Sequence, residues 1–150
     1  MIRAGTAADL ALLVDLESRC FGSASWGSGL LEAALTADQV LVTTAGDGYA
    51  IVRVVADTAD LDRIAVLDES RRRGVGSMLL EAALDRAARQ GATRVLLEVA
   101  DDNAAAVRLY DREGFVEIHR RPGYYPSGAA AIVMERVEVA DSPPHGTVVA

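Results

Sequence analysis

Cysteine is almost missing from this chain of 150 residues: Cys20 stands alone. It cannot close an internal disulfide and fits a reducing compartment. Nor does any apolar run approach the length of a membrane span, and the opening MIRAGTAADL holds no apolar signal-peptide segment. A cytoplasmic protein is expected, with no membrane partner. Histidine is scarce too. His119 and His145 offer no metal-ligand spacing and neither lies near Cys20 in sequence, so no metal site and no cysteine acyl-enzyme is expected. Surplus positive charge is also lacking. A net charge of −7 speaks against a broad basic face, so no direct nucleic-acid binding is expected. An acidic surface suits a cationic amine or a basic peptide, although it equally serves solubility. Repeats and low-complexity blocks are absent. The segment from Asp141, DSPPHGTVVA, carries two prolines and no pattern, and is expected to be disordered. That leaves residues 1–140 as a single domain of ordinary globular composition.

The patterned remainder alternates helix and strand. Thr6 followed by Asp9 predicts a capped helix, with Leu10, Leu13 and Leu16 at helical spacing. GSASWGSG, 22–29, breaks the pattern before a short helix in LLEAAL. QVLVTTA and YAIVRVVAD read as strands joined by a GDG turn, and LDRIAVL as a third. A long helix over roughly 74–90 closes at Gly91. TRVLLEV is a strand, DDNAAAVRLYDREG a short helix capped by Asp or Asn, and FVEIHRR and AAAIVMERV are the last strands. The expected class is α/β (α+β), with a mixed, mostly antiparallel sheet and helices on both faces.

SRRRGVGSMLLEAALDRA, 70–87, concentrates the chemistry. Gly74 and Gly76 let backbone N–H groups face one concavity without Cβ obstruction. The helix behind them adds its positive end, and Arg71, Arg72 and Arg73 add full charges. Such a turn suits a pyrophosphate. It is neither a Walker loop nor a G-x-G-x-x-G fingerprint, and a plain glycine turn with solvated arginines would look similar.

The order apolar strand, Arg71-x-x-Gly74-x-Gly76, long helix resembles the acetyl-CoA signature of the GNAT superfamily of N-acetyltransferases. Beyond it, Leu97-Glu98-Val99, then Asn103, Ala106, Leu109-Tyr110 and Gly114-Phe115, then Tyr124-Tyr125, resembles the ribosomal-protein-alanine N-acetyltransferases of the RimI type. The likeness is full over about 61–136 and loose before it. It implies the GNAT fold with a splayed pair of central strands, and acetyl-CoA as donor without a metal. Ile64, Ala65 and Val66 would lie along the thioester, with an N–H near Val66 as oxyanion donor. Residues 72–77, that is Arg72, Arg73, Gly74, Val75, Gly76 and Ser77, would hold the pyrophosphate, with Arg71 also among the cofactor-binding residues and Asn103 at the pantetheine arm. Ser25-Trp26-Gly27 replaces the usual Pro-Trp-small polar triplet, and RRPGYY carries one extra residue before its tyrosines. Both departures fall on the acceptor side.

Acetyl transfer to an amine needs a base for the ammonium, a stabilised oxyanion and a proton at the departing sulfur. Glu98 interrupts an apolar strand. It is a general base raised by burial, a solvent-facing residue or an arginine partner; the resemblance implies the base. Tyr110, two helical turns from Asn103, is either a half-buried packing residue or, as the resemblance implies, the acid. Tyr124 and Tyr125 are two loop aromatics that the resemblance assigns to the acceptor groove. Glu17 and Trp26 would form its other wall, with Glu17 receiving a cation. The implied reaction is direct transfer from acetyl-CoA to a protein or peptide N-terminal α-amine, with a ribosomal protein as acceptor. The alternatives are a small amine or lysine side chain as acceptor, or a CoA-binding regulatory domain without catalysis.

Overall fold

The computed structural model describes residues 1–138; the expected disordered segment 141–150, with His145, lies outside the described residues. Two compact units emerge. The first comprises 1–53 with 60–87, and the second 54–59 with the chain from 88 onward.

In the first unit the strands run in the order β1 (Ile2–Ala4), β2 (Val40–Thr43), β3 (Gly48–Val55) and β4 (Thr58–Val66). β1 and β2 are antiparallel, as are β2 and β3. β1 is an addition to the sequence reading, which began with a helix. It is held by its register on β2, where Ile2, Arg3 and Ala4 face Thr43, Val42 and Leu41. A single turn of 3-10 helix, Ala7–Asp9, leads into α1 (Leu10–Phe21). Asp9 fastens this start: its carboxylate accepts the Thr6 N–H at 2.8 Å and both guanidinium arms of Arg3 at 2.8 and 2.9 Å. Leu13 and Leu16 of α1 and Leu31 and Leu35 of α2 (Ser28–Thr36) pack with Val40, Val42, Tyr49 and Ile51 into one core. Each fully buried leucine or valine there contributes about 1.5–3 kcal/mol. After a 3-10 turn at Asp68–Ser70, α3 (Val75–Arg89) buries Leu79, Leu80, Ala83, Leu84 and Ala87 at helical spacing. It stops before Gly91, whose φ of +93° suits glycine.

In the second unit β5 (Arg94–Ala100) and β6 (Val116–Arg121) flank β7 (Ala131–Val137), both antiparallel to it. α4 (Ala104–Arg112) links β5 to β6 and ends ahead of Gly114, φ +89°. Val95, Leu97 and Val99 point from β5 into the core with Ile132, Met134 and Phe115. Strand alternation therefore turns Glu98 to the opposite face, where its side chain is 36% exposed. An apolar strand buries alternate positions and Glu98 falls on the other set, so its carboxylate is not enclosed with those side chains.

Candidate active site

Within the first unit, β4 delivers Ile64, Ala65 and Val66 directly to the arginine–glycine turn. Arg71 braces that turn: its Nε donates to the Val66 carbonyl at 3.1 Å and its Nη1 meets Asp68 at 2.7 Å. Arg72 and Arg73 are exposed. Arg72 and Gly74 both take left-handed backbone, φ +67° and +79°, a conformation that recurs in anion-binding turns. Helical bonding begins with the Met78 N–H on the Gly74 carbonyl at 3.0 Å. The N–H groups of Val75, Gly76 and Ser77 precede it and have no acceptor within the helix. These three donors, the helix's positive end and the two exposed arginines are what a pyrophosphate requires. The residues present fit that group.

Also in the first unit, Glu17 is 1% exposed. Its carboxylate accepts the Trp26 N–H at 2.7 Å and a two-armed contact from Arg63 at 3.1 and 3.2 Å. Glu17 does receive a cationic group, but the cation is the chain's own Arg63. Arg63 also donates to the Ala24 carbonyl at 2.8 Å and lies over the rings of Phe21 (3.9 Å) and Trp26 (4.9 Å). Arg63 has no place among the residues expected from sequence. The signal for it was an arginine inside an apolar strand facing an acid in an apolar helix. Cys20 is partly buried, and that burial pushes its thiol up from the ordinary value, which keeps it protonated at neutral pH.

In the second unit Glu98 and Tyr125 come together, the Tyr125 hydroxyl donating to Glu98 Oε1 at 3.4 Å. Arg121 approaches the same carboxylate at 3.9 Å and stands over the Tyr124 ring at 5.6 Å. Tyr124 and Tyr125 meet edge to face at 5.1 Å. Burial, followed by the neighbouring Glu98 charge, raises the Tyr125 phenol. Asn103 is the cap of α4 rather than a residue of its face: Oδ1 accepts the Ala106 N–H at 3.2 Å, which leaves the amide NH2 as its donor. Two-turn spacing from Tyr110 therefore does not describe its side chain, since its backbone (φ −86°, ψ 73°) is not helical. Tyr110 is 6% exposed, edge to face with Phe115 at 5.8 Å, and desolvation pushes its phenol up to about 12. Among the described residues, no three His, Cys, Asp or Glu side chains are grouped to hold a metal, and no helix is long and apolar enough to cross a membrane.

The Acetyltransferase (GNAT) family profile matches residues 24–115, more than half of the chain. The chain belongs to the GNAT acetyltransferase family. A curated relative, the [ribosomal protein bS18]-alanine N-acetyltransferase of Salmonella typhimurium, is 40% identical to this GNAT protein over 111 residues, 72% of each chain. The crystal structure of the ribosomal-protein-S18-alanine N-acetyltransferase from Escherichia coli superposes with a TM-score of 0.82 at 30% identity, covering 97% of this chain and 98% of that one. Ard1 from Thermoplasma volcanium gives a TM-score of 0.82 at 28% identity, over 93% and 97% of the two chains. The fold is thus the mixed, mostly antiparallel GNAT fold.

Proposed function

We propose that the protein is an acetyl-CoA-dependent N-acetyltransferase acting on the N-terminal α-amine of a protein, with ribosomal protein bS18 as the acceptor class. The observation that carries this reading is the amide-lined turn before α3, in a chain 40% identical over 111 residues to an enzyme named for that acceptor. A structure of a GNAT relative at 21% identity contains acetyl-CoA, and its likeness supports the fold alone. A cytoplasmic location fits such an acceptor. The family match reaches into both compact units, which supports reading residues 1–140 as one acetyltransferase domain.

Acetyl-CoA supplies the acetyl group as an activated thioester. Arg72, Arg73, Gly74, Val75, Gly76 and Ser77 hold its pyrophosphate, with Arg71 bracing the turn, and the Asn103 amide donates to its arm. Ile64, Ala65 and Val66 line the thioester and contribute an N–H near Val66 to the carbonyl oxygen. Glu98 takes a proton from the α-ammonium, whose ordinary pKa of about 8 asks little of a carboxylate working through water. A second proton leaves as the C–N bond forms, and the sulfur gains one as the C–S bond breaks, so one proton is released overall. Tyr110, held protonated by burial, donates its hydrogen bond to that sulfur. Tyr124, Tyr125 and Trp26 face the acceptor, and Glu17 serves it through Arg63 and the Trp26 N–H. With Cys20 kept as a thiol, direct attack is the favoured course.

The test is incubation with acetyl-CoA and a panel of free-amine peptides, polyamines and lysine-containing peptides blocked at the α-amine, followed by thiol release and mass spectrometry. The chain contains no lysine, so self-acetylation of side-chain amines cannot confuse the readout. Acetylation of the α-amine of a bS18 N-terminal peptide is expected. Turnover only on polyamines or lysines would replace this acceptor, and CoA binding without any turnover would leave a regulatory domain.

A further inference from the structure

The connection between α1 and α2, residues 22–27, contains two glycines and two serines, a composition that by itself favours a flexible chain. The chain nevertheless fixes it at its centre. Glu17, anchored in α1 and 1% exposed, accepts the Trp26 N–H, while the Ser25 hydroxyl donates to the Glu17 carbonyl at 3.0 Å. From β4, Arg63 closes both arms on the Glu17 carboxylate and a third bond on the Ala24 carbonyl. Its guanidinium carbon stands over the rings of Phe21 and Trp26, and its planar fork makes the two-armed contact that an ammonium cannot reproduce. Arg63 immediately precedes Ile64, Ala65 and Val66 on the same strand. One side chain thus ties the Trp26 segment to the strand that carries the donor.

We infer that Arg63 is a positioning residue for the acceptor, holding Trp26 and the 22–27 segment in the conformation that receives the amine. This rests on the reading above that Trp26 faces the acceptor. Glu17 then acts through Arg63, and its carboxylate makes no contact of its own with substrate. A loosened segment weakens ground-state and transition-state binding alike, so the effect falls on acceptor KM and leaves kcat alone.

The experiment compares the full chain with Arg63→Met, Arg63→Lys, Glu17→Gln and the Arg63→Met/Glu17→Gln double variant. It uses whichever amine the unmodified chain turns over. Arg63→Met is expected to raise acceptor KM about tenfold, with kcat and acetyl-CoA KM within about twofold. Trp26 is the chain's single tryptophan, so its emission reports on this cluster directly. Acrylamide quenching should rise in Arg63→Met, and saturating acceptor should suppress the rise. Arg63→Lys, which keeps the charge without the planar fork, should fall between the two and carries the test if the Met variant does not fold. The double variant should cost little more than Arg63→Met alone, because both residues act in one chain of contacts. An unchanged acceptor KM alongside increased quenching would overturn the inference, as would additive effects of the two substitutions. Failure of the bS18 reading shows separately, as absent turnover of that peptide by the unmodified chain.

Discussion

A single methyl group at Gly48, a residue with no role of its own in the proposed site, should disturb the strand beside it. A Cβ built there would stand 2.8 Å from the Ala65 carbonyl oxygen and 3.0 Å from Leu79 Cδ1. The leucine tip can rotate away. The carbonyl belongs to the backbone of β4, and relaxing it to an ordinary carbon–oxygen contact of about 3.3 Å means moving the strand by about half an ångström. Overpacking of this kind costs about 1–3 kcal/mol. In a chain of this length it lowers Tm by about 3–10 °C. Ala65 lies in the stretch proposed to line the thioester, so acetyl-CoA KM should rise by about tenfold, a larger effect than the loss of stability alone would give. Circular dichroism melting and initial-rate kinetics of Gly48→Ala would measure both. Gly74 is the control: no atom lies within 4 Å of its added Cβ, and its φ of +79° is what restricts it. Gly74→Ala should cost about 1–2 kcal/mol through backbone strain, and Gly74→Asn should recover part of that, since asparagine tolerates the left-handed region. Asparagine at 48 should be worse than alanine. Wild-type Tm and acetyl-CoA KM in Gly48→Ala, or improvement by asparagine at that position, would refute the steric argument.

Three further outcomes are expected. Glu98→Gln should lower kcat/KM at neutral pH by about 10²-fold with Tm little changed, because the side chain is only partly buried; steady-state rates beside a melting curve decide it. Tyr110 is pushed up to about 12 by burial, so the folded state resists ionising it while the unfolded chain loses the proton near 10. Its contribution is therefore intact below pH 10 and falls by about 2–3 kcal/mol as pH rises from about 10 to 12, so the stability gap between wild type and Tyr110→Phe should shift by that amount in urea melts. Asp9 runs the other way. The Arg3 guanidinium, then the Thr6 N–H, hold its carboxyl at about 2, so its stabilisation is present above about pH 4 and disappears as pH falls from 4 towards 2. In Asp9→Asn that acid-limb decline should be shallower, as followed by acid titration of ellipticity.

The strand, turn and helix over 64–89 were legible because they are local. Residues 64–77 are contiguous, and the leucines of α3 announce their helix before Gly91 ends it. The three-residue β1 was not, since Ile2–Ala4 is too short to show alternation and depends on β2 for its partner. Glu98 stood out by its place in an apolar strand, but whether it was buried or solvent-facing stayed open, because the letters of such a strand do not say which of its faces the rest of the chain covers. Asn103 was recognised as a possible cap, yet its spacing to Tyr110 was read as if both were helical. The cluster around Trp26 was least legible. Glu17 and Arg63 are 46 positions apart, and only the fold brings the acid, the fork and the tryptophan into one cluster.

Arg72 carries one more consequence. It sits at φ +67°, a conformation in which glycine is at ease and a residue with a Cβ is not. Holding an arginine there costs about 1 kcal/mol relative to glycine. The loop thus gives up a share of its stability for a full positive charge at that turn. Arg72→Gly would relieve that backbone cost while removing a charge beside the turn, so ease of the backbone and local positive charge are set in opposition at that one residue.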